Sequence, residues 1–339
     1  MTTQKQMSVL VTGANGGLGL ETCRHLVLDG ARRLVMACRT EGKAESARQE
    51  LSLRTDGASG TEIQTAGGFD MTSPASIEAG VASLDAGRPF DVVFLQSGGV
   101  TYGKQWQTVD YNGQSIERTI FQNVFGAHLT LMALMKRGLL AQGARVVIAG
   151  GEGARGIPGL IGCPSFDSAD DWADYMTVAD PSRKYREMDA MGVSKFAGAL
   201  WAIEAAARYG DSMEVVWFTP GLTAGTKGLN GVGAAKQWMF EHVGFPLMVL
   251  LGKAQTAAQG GRKFADCLQG AVGANGDLIG APEGVAIGAL QDQKTMNPAL
   301  TDVALRERFW AVLESVCGPA VRHASSPEPA PQFQAQRAS

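Results

Sequence analysis

Val9-Leu10-Val11-Thr12-Gly13-Ala14-Asn15-Gly16-Gly17-Leu18-Gly19 decides the fold. A short apolar run enters a turn whose glycines, Gly13, Gly17 and Gly19, are spaced G-x-x-x-G-x-G. Glycine permits the tight turn, and it lets an anion approach backbone N–H groups at a helix N-terminus, where the helix dipole favours negative charge. Strand, glycine turn and helix in that order make the first turn of a βαβ unit that holds a dinucleotide pyrophosphate. Asn15, Gly16 and Leu18 stand in the same turn.

Outward from this turn the pattern repeats. Apolar runs of strand length occur at Leu34-Val35-Met36-Ala37, Val92-Val93-Phe94-Leu95, Val146-Val147-Ile148-Ala149 and Val215-Val216-Trp217-Phe218, with a weaker one from Glu62 to Ala66. Each strong run is followed by Gly, Ser or Pro, and amphipathic stretches lie between. The longest runs from Ser115 to Ala141, where Phe121, Val124, Phe125, His128, Leu129 and Met132 keep a 3–4 spacing and predict a single helix. The alternation predicts an α/β fold, a Rossmann-like doubly wound parallel sheet in one domain over 8–320. Residues 1–7 read as a flexible N-terminus and 323–339, rich in Pro, Ser, Ala and Gln, as a disordered tail. Two connections are long. Residues 152–189 read as an insertion of lid type. Residues 222–255 read as a substrate cap, carrying an apolar run from Trp238 to Leu251 whose alternatives are a substrate wall, a core helix or a membrane contact.

Composition excludes several classes. With 19% charged residues and a net charge of -3 over 339 residues, the chain offers no basic field for nucleic acid. Five scattered cysteines without a C-x-x-C pair indicate neither a zinc site nor a disulfide framework, so no metal is expected and a reducing cytoplasm is the natural setting. The N-terminal MTTQKQ lacks the apolar core of a secretory signal.

Arg39 and Lys43 follow the second strand, where an acidic residue would bind a 2'-hydroxyl. A guanidinium there suits a 2'-phosphate, so NADP(H) is the expected cofactor. With its T-G-x-x-x-G-x-G pattern, the chain from about residue 8 to 285 resembles the short-chain dehydrogenase/reductase family. TGANGGLGLET, MACR, the insertion before GVSK and GFPLMVLLGKAQTAAQGG make it most similar to the retinol dehydrogenase and light-dependent protochlorophyllide reductase branch. The resemblance implies that Asp70-Met71 lies against the adenine, that Ser97-Gly98-Gly99 passes the cofactor ribose, and that Pro220-Gly221 with Thr223 meets the nicotinamide carboxamide. It also implies that Asn123 anchors a proton relay, a buried structural asparagine being the alternative, and that Lys195 grips the nicotinamide ribose. A large apolar substrate and a homodimer through the Ser115–Ala141 helix follow from the same resemblance.

Two positions depart from the family. Gly150 and Gly151 stand where a serine would hold the substrate carbonyl, and Met191 stands four residues before Lys195, where a tyrosine would donate a proton. A thioether cannot donate one. General acid catalysis contributes roughly 10²- to 10⁴-fold and an oxyanion donor roughly 10²- to 10³-fold, so ordinary carbonyl reduction suffers. Three readings stay open: an oxidoreductase with a relocated donor, for which Tyr185 is the candidate at a pKa lowered by a nearby cation; different chemistry on the same fold, such as C=C or C=N reduction or a lyase, isomerase or cyclase step; and a non-catalytic cofactor-binding protein. Gly151, Met191 and Trp238 are the expected substrate-pocket residues.

Overall fold

The computed structural model describes residues 6–55, 60–159, 161–225 and 238–319. The expected flexible N-terminus therefore falls largely, and the tail wholly, outside the described residues, as does part of the expected cap.

Eight strands form the central sheet: β1 (Ser8–Thr12), β2 (Arg33–Ala37), β3 (Glu62–Ala66), β4 (Phe90–Leu95), β7 (Leu140–Ala149), β8 (Met213–Phe218), β9 (Leu278–Gly280) and β10 (Gln291–Asp292). Their order is β10-β9-β8-β7-β4-β1-β2-β3, parallel throughout except for β10. Val9 lies beside Leu34 on one side and Val92 on the other, so the glycine turn leaves the middle of the sheet where the strand order reverses. β1 and β2 are buried along their whole length, as apolar strands covered on both faces must be.

On one face lie α1 (Gly17–Leu28), α2 (Glu41–Arg54) and a late helix that returns to α1. On the other lie α3 (Pro74–Ala82), the short α4 (Arg118–Ile120), α5 (Gly126–Lys136), α6 (Ala169–Thr177) and α7 (Glu187–Tyr209). α8 (Phe245–Leu250) precedes the late helix, α9 (Ala257–Leu268), and α10 (Val303–Cys317) closes the described chain. At Gly260 an added Cβ would stand 2.7 Å from Leu18, and at Gly261 it would stand 2.5 Å from Glu21. The glycine pair is what lets α9 reach α1. α10 buries Phe309, Trp310, Leu313 and Val316. Trp310 meets His128 of α5 edge-on, Phe309 meets Phe125, and the guanidinium of Arg208 on α7 lies over Trp310.

Two expectations need correction. The stretch Ser115–Ala141 is not one helix: Ser115 to Glu117 belong to β6 (Gln114–Glu117), which pairs with β5 (Thr108–Tyr111) as a hairpin, and Leu140 opens β7. Glu117 makes the boundary, because its carboxylate accepts the N–H groups of Thr119 and Ile120 and so caps the next helix. The apolar run Trp238–Leu251 is not a core helix. α8 buries no residue, and Trp238, Met239, Val243, Leu247, Leu250 and Leu251 are all exposed. Composition marks this run as apolar but does not say whether anything covers it.

Candidate functional site

The glycine turn is held from β4. Thr12 donates its hydroxyl to Phe94 O and accepts the N–H groups of Gln96 and Ser97, which fixes the ends of β1 and β4 together. Gly13 takes φ +68°, and an added Cβ there would meet the Gln96 amide at 2.8 Å. A Cβ at Gly19 would meet the same amide at 2.8 Å and press still closer on Gly13 O. Gly16 caps α1 without any side-chain acceptor, so the helix presents its first N–H groups uncapped beside the turn. A pyrophosphate fits this cradle, since it supplies the acceptors that the helix lacks.

At the end of β2 the exposed Arg39 guanidinium lies 3.6 Å from the Asp70 carboxylate. Burial works against the charge of Asp70, but the N–H and hydroxyl of Thr72 and the positive charges of Arg39 and Arg118 outweigh it and lower the pKa. Lys43 sits in the first turn of α2, capped by Thr40. Gly126 brings α5 against Met71, where an added Cβ would stand 2.9 Å from the Met71 backbone.

A second cluster centres on Lys195. Its ammonium donates to Ala149 O at 3.1 Å and to Asn123 Oδ1 at 3.4 Å. Asn123 in turn donates to Gly99 O at 2.6 Å and Thr119 O at 2.7 Å. It sits in the π-helical turn Phe121–Phe125 between α4 and α5, a local widening that carries the amide out of the helix and toward the lysine. Gly98 has no side chain because a Cβ would collide with Asn123 Oδ1. Lys195 is half-buried, and the loss of water around its ammonium lowers its pKa to about 8.

The two glycines in the serine's place are occupied by neighbours. A Cβ at Gly150 would stand 2.6 Å from two atoms of the Trp217 ring and closer to a third, and a Cβ at Gly151 would stand 3.0 to 3.2 Å from the three outer methylenes of Lys195. Met191 is half-buried one turn before Lys195, and its carbonyl accepts the Ser194 hydroxyl. Pro220-Gly221 makes a turn with Gly221 at φ +92°. Gln255 and Lys263 donate to Pro220 O at 2.6 and 3.2 Å, and Thr223 donates to Gly221 O at 2.9 Å.

Tyr185 departs from its expected chemistry. Its hydroxyl donates to Thr101 O at 2.7 Å, its ring packs edge-on against Trp106, and burial pushes its pKa up to about 12. No cation lowers it. Trp238 is 60% exposed, with its ring stacked on His242 of the same segment.

Sequence reasoning missed the pair that closes the floor of the site. Glu152 and Arg155 meet at 2.8 Å, both almost wholly buried, in the 3-10 turn after Gly151. Glu152 accepts from Gln293 and from the Ala281 N–H, while Arg155 donates to the carbonyls of Pro282 and Val285. Leu222 donates to Ala286 O, so this knot extends to the Pro220-Gly221 turn. A charge pair three residues apart in a glycine-rich loop carries no sequence signal of burial. A cavity of about 690 Å³ is lined by His25, Val249, Ala258, Arg262, Lys263 and Ile287 among others, and reaches neither Lys195 nor Gly151.

The comparisons agree with this geometry. A family model described as short chain dehydrogenase matches residues 7–161. A short chain dehydrogenase of Emericella nidulans is 32% identical over 44% of this chain and 47% of its own length. The protochlorophyllide reductase of Cucumis sativus is 29% identical over 39% of this chain and 31% of its own. Over residues 7–161 the chain is similar to the short-chain dehydrogenases. A short chain dehydrogenase from Burkholderia cenocepacia, solved in complex with NADP, shares the fold at TM-score 0.51 and 19% identity, covering 78% of this chain and 91% of the other. The chain spans about half the length of the curated relatives it matches, 47%, 56% and 60% of the first three.

Proposed function

We propose that the protein is an NADP(H)-dependent oxidoreductase acting on a bulky apolar substrate at a site without the usual serine and tyrosine. The observation that carries this is the glycine cradle at the uncapped N-terminus of α1, in line with Arg39 at one end and Lys195 with Asn123 at the other. The turn from Gly13 to Gly19 would hold the pyrophosphate, Arg39 and Lys43 the 2'-phosphate, Asp70 and Met71 the adenine, Ser97 to Gly99 and Lys195 the ribose, and Pro220, Gly221 and Thr223 the carboxamide. The cofactor would supply hydride. Apart from that, the chain orients the substrate, excludes water and manages the proton. The NADP held by the Burkholderia neighbour supports the choice of cofactor.

Arg39→Ala tests the reading. Loss of a charge-assisted phosphate contact costs about 1.5–3 kcal/mol, which is roughly a 10- to 100-fold weaker Kd for NADPH. NADH, which lacks the phosphate, is expected to bind both forms alike, and tighter NADH than NADPH binding by the wild type overturns the assignment. The apolar class of substrate rests on the run Trp238–Leu251; its exposure supports a further contact with a membrane surface, testable by sedimentation with phosphatidylcholine vesicles.

A second reading is favoured by one observation. Trp217 fills the space beside Gly150, and Lys195 fills that beside Gly151, so the carbonyl-holding position is built over rather than merely emptied. Reduction of an activated C=C or C=N bond, or a non-redox step, needs no such oxygen ligand. NADPH oxidation followed at 340 nm with ketones against activated alkenes separates the two.

A further inference from the structure

We propose that Lys195 is itself the proton donor of this site, giving the proton that a phenol gives in ordinary members of the family. The inference rests on the oxidoreductase reading above and deepens it.

Elimination comes first. The Tyr185 hydroxyl is spent on Thr101 O, and Ser194 turns its hydroxyl back to Met191 O within its own helix. Tyr175 is buried between Trp106, Phe166 and Trp172, and burial pushes its pKa up. Met191 has no proton to give.

Lys195 has one, and the geometry presents it. An ammonium carries three donors. Two find acceptors in the protein, Ala149 O at 3.1 Å and Asn123 Oδ1 at 3.4 Å. Asn123 is locked in that orientation because its own N–H₂ is held by Gly99 O and Thr119 O. The stem is placed by Gly151, whose missing side chain is the space that the lysine methylenes border at 3.0 to 3.2 Å. Serine loss and lysine placement are thus one structural fact.

Acidity agrees with position. The best general acid has a pKa near the working pH, and the lowered value of about 8 for Lys195 meets this where about 12 for Tyr185 does not. Several charged groups on the elements packed against α7 are engaged elsewhere. Glu152 pairs with Arg155 in the 3-10 turn, Glu117 caps α4, Glu214 on β8 pairs with Arg145, and Arg306 on α10 pairs with Glu204 of α7 itself. Water loss alone sets the shift.

The step balances for a carbonyl. The substrate carbon gains a hydride, with its electron pair, from the reduced nicotinamide, while the C=O π bond opens onto oxygen and the oxygen takes H⁺ from Nζ. The cofactor would be oxidised, the alcohol would leave, and the neutral amine of Lys195 would recover a proton from solvent.

The test uses the full chain, NADPH and 9,10-phenanthrenequinone as a bulky apolar dicarbonyl. Reductive ¹³C-methylation and NMR titration give the Lys195 pKa directly, the signal being assigned by its loss in Lys195→Arg. A midpoint near 8 is expected, and one above 10 overturns the proposal. Arginine keeps charge and donors but does not release its proton. Lys195→Arg is therefore expected to keep measurable NADPH binding, read by nicotinamide fluorescence, while kcat at saturating NADPH falls roughly 10²- to 10⁴-fold. Wild-type kcat should fall tenfold per pH unit above about 8. Full kcat in Lys195→Arg, or a flat profile to pH 10, overturns the acid role and leaves cofactor binding standing, whereas absent NADPH binding by the wild type defeats the oxidoreductase reading instead.

Discussion

Adding a single methyl group at Gly150 or at Gly151 separates two neighbours that look equivalent in sequence. At Gly150 the new Cβ would lie 2.6 Å from two atoms of Trp217, a residue 1% exposed in β8, and nearer to a third. The indole is held by sheet and helix on both sides, so the overlap must be relieved by an off-rotamer ring or a backbone shift. Overpacking of this kind costs about 3 kcal/mol at the upper end of its usual range. Against it stands a gain of about 0.4–1 kcal/mol from the stiffer unfolded chain. The net loss for Gly150→Ala is about 2 kcal/mol, which lowers Tm by roughly 3 °C. At Gly151 the backbone is extended, with φ -179°, and the new atom would meet only lysine methylenes at 3.0 Å or more, which can give way. Gly151→Ala should therefore stay within about 1 kcal/mol of wild type. Thermal unfolding followed by circular dichroism measures both. Equal Tm values for the two variants would refute the claim that Trp217, rather than mere neutral loss, excludes a side chain at 150.

Three further outcomes follow from the same geometry. Met191→Tyr places a phenol one turn before Lys195; with a carbonyl substrate it should raise kcat if the site still reduces carbonyls, and lower turnover of the native substrate if that volume has been taken over, as a panel of aldehydes and enones would show. Gly98→Ala should push the Asn123 amide off Lys195 and Gly99 and cost about 1–3 kcal/mol from two broken hydrogen bonds, measured by urea unfolding. Lys195 has a folded pKa lowered from 10.5 to about 8, so between those values the unfolded chain binds more protons and stability rises with pH. Replacing the charge by Lys195→Met should accordingly raise stability more at pH 7 than at pH 10, and an equal effect at both pH values would contradict the lowered pKa.

The parallel strands were legible because each is an apolar run ended by a turn residue, and β1, β2, β4, β7 and β8 fall where those runs predict. The glycine turn was legible for a different reason: Gly13 and Gly19 answer to steric demands that only glycine meets. What stayed hidden depends on partners distant in sequence. Ser115-Ile116-Glu117 has the polarity of a helix start, and only its pairing with Thr108 to Asp110 makes it a strand. The burial of Glu152 with Arg155 needs Gln293 and Ala281, over a hundred residues on. Tyr185 was singled out for its nearness to Lys195 along the chain, yet its hydroxyl turns to Thr101. Trp238 to Leu251 is apolar in either setting, and exposure is not written in composition.

α10 has a consequence for how the molecule comes to exist. Phe309 and Trp310 cover Phe125 and His128, so the faces of α5 and α7 are completed by a helix about 180 residues after the first and about 100 after the second. During synthesis, at roughly 5–20 residues per second, those faces wait of the order of ten seconds or more for their cover. Over that interval the nascent sheet can already hold its strands together, but the aromatic layer around Trp201 and Trp172 stands open to any other apolar surface in the cell. A chain broken off before Val303 would keep the whole glycine turn and still be a client for chaperones.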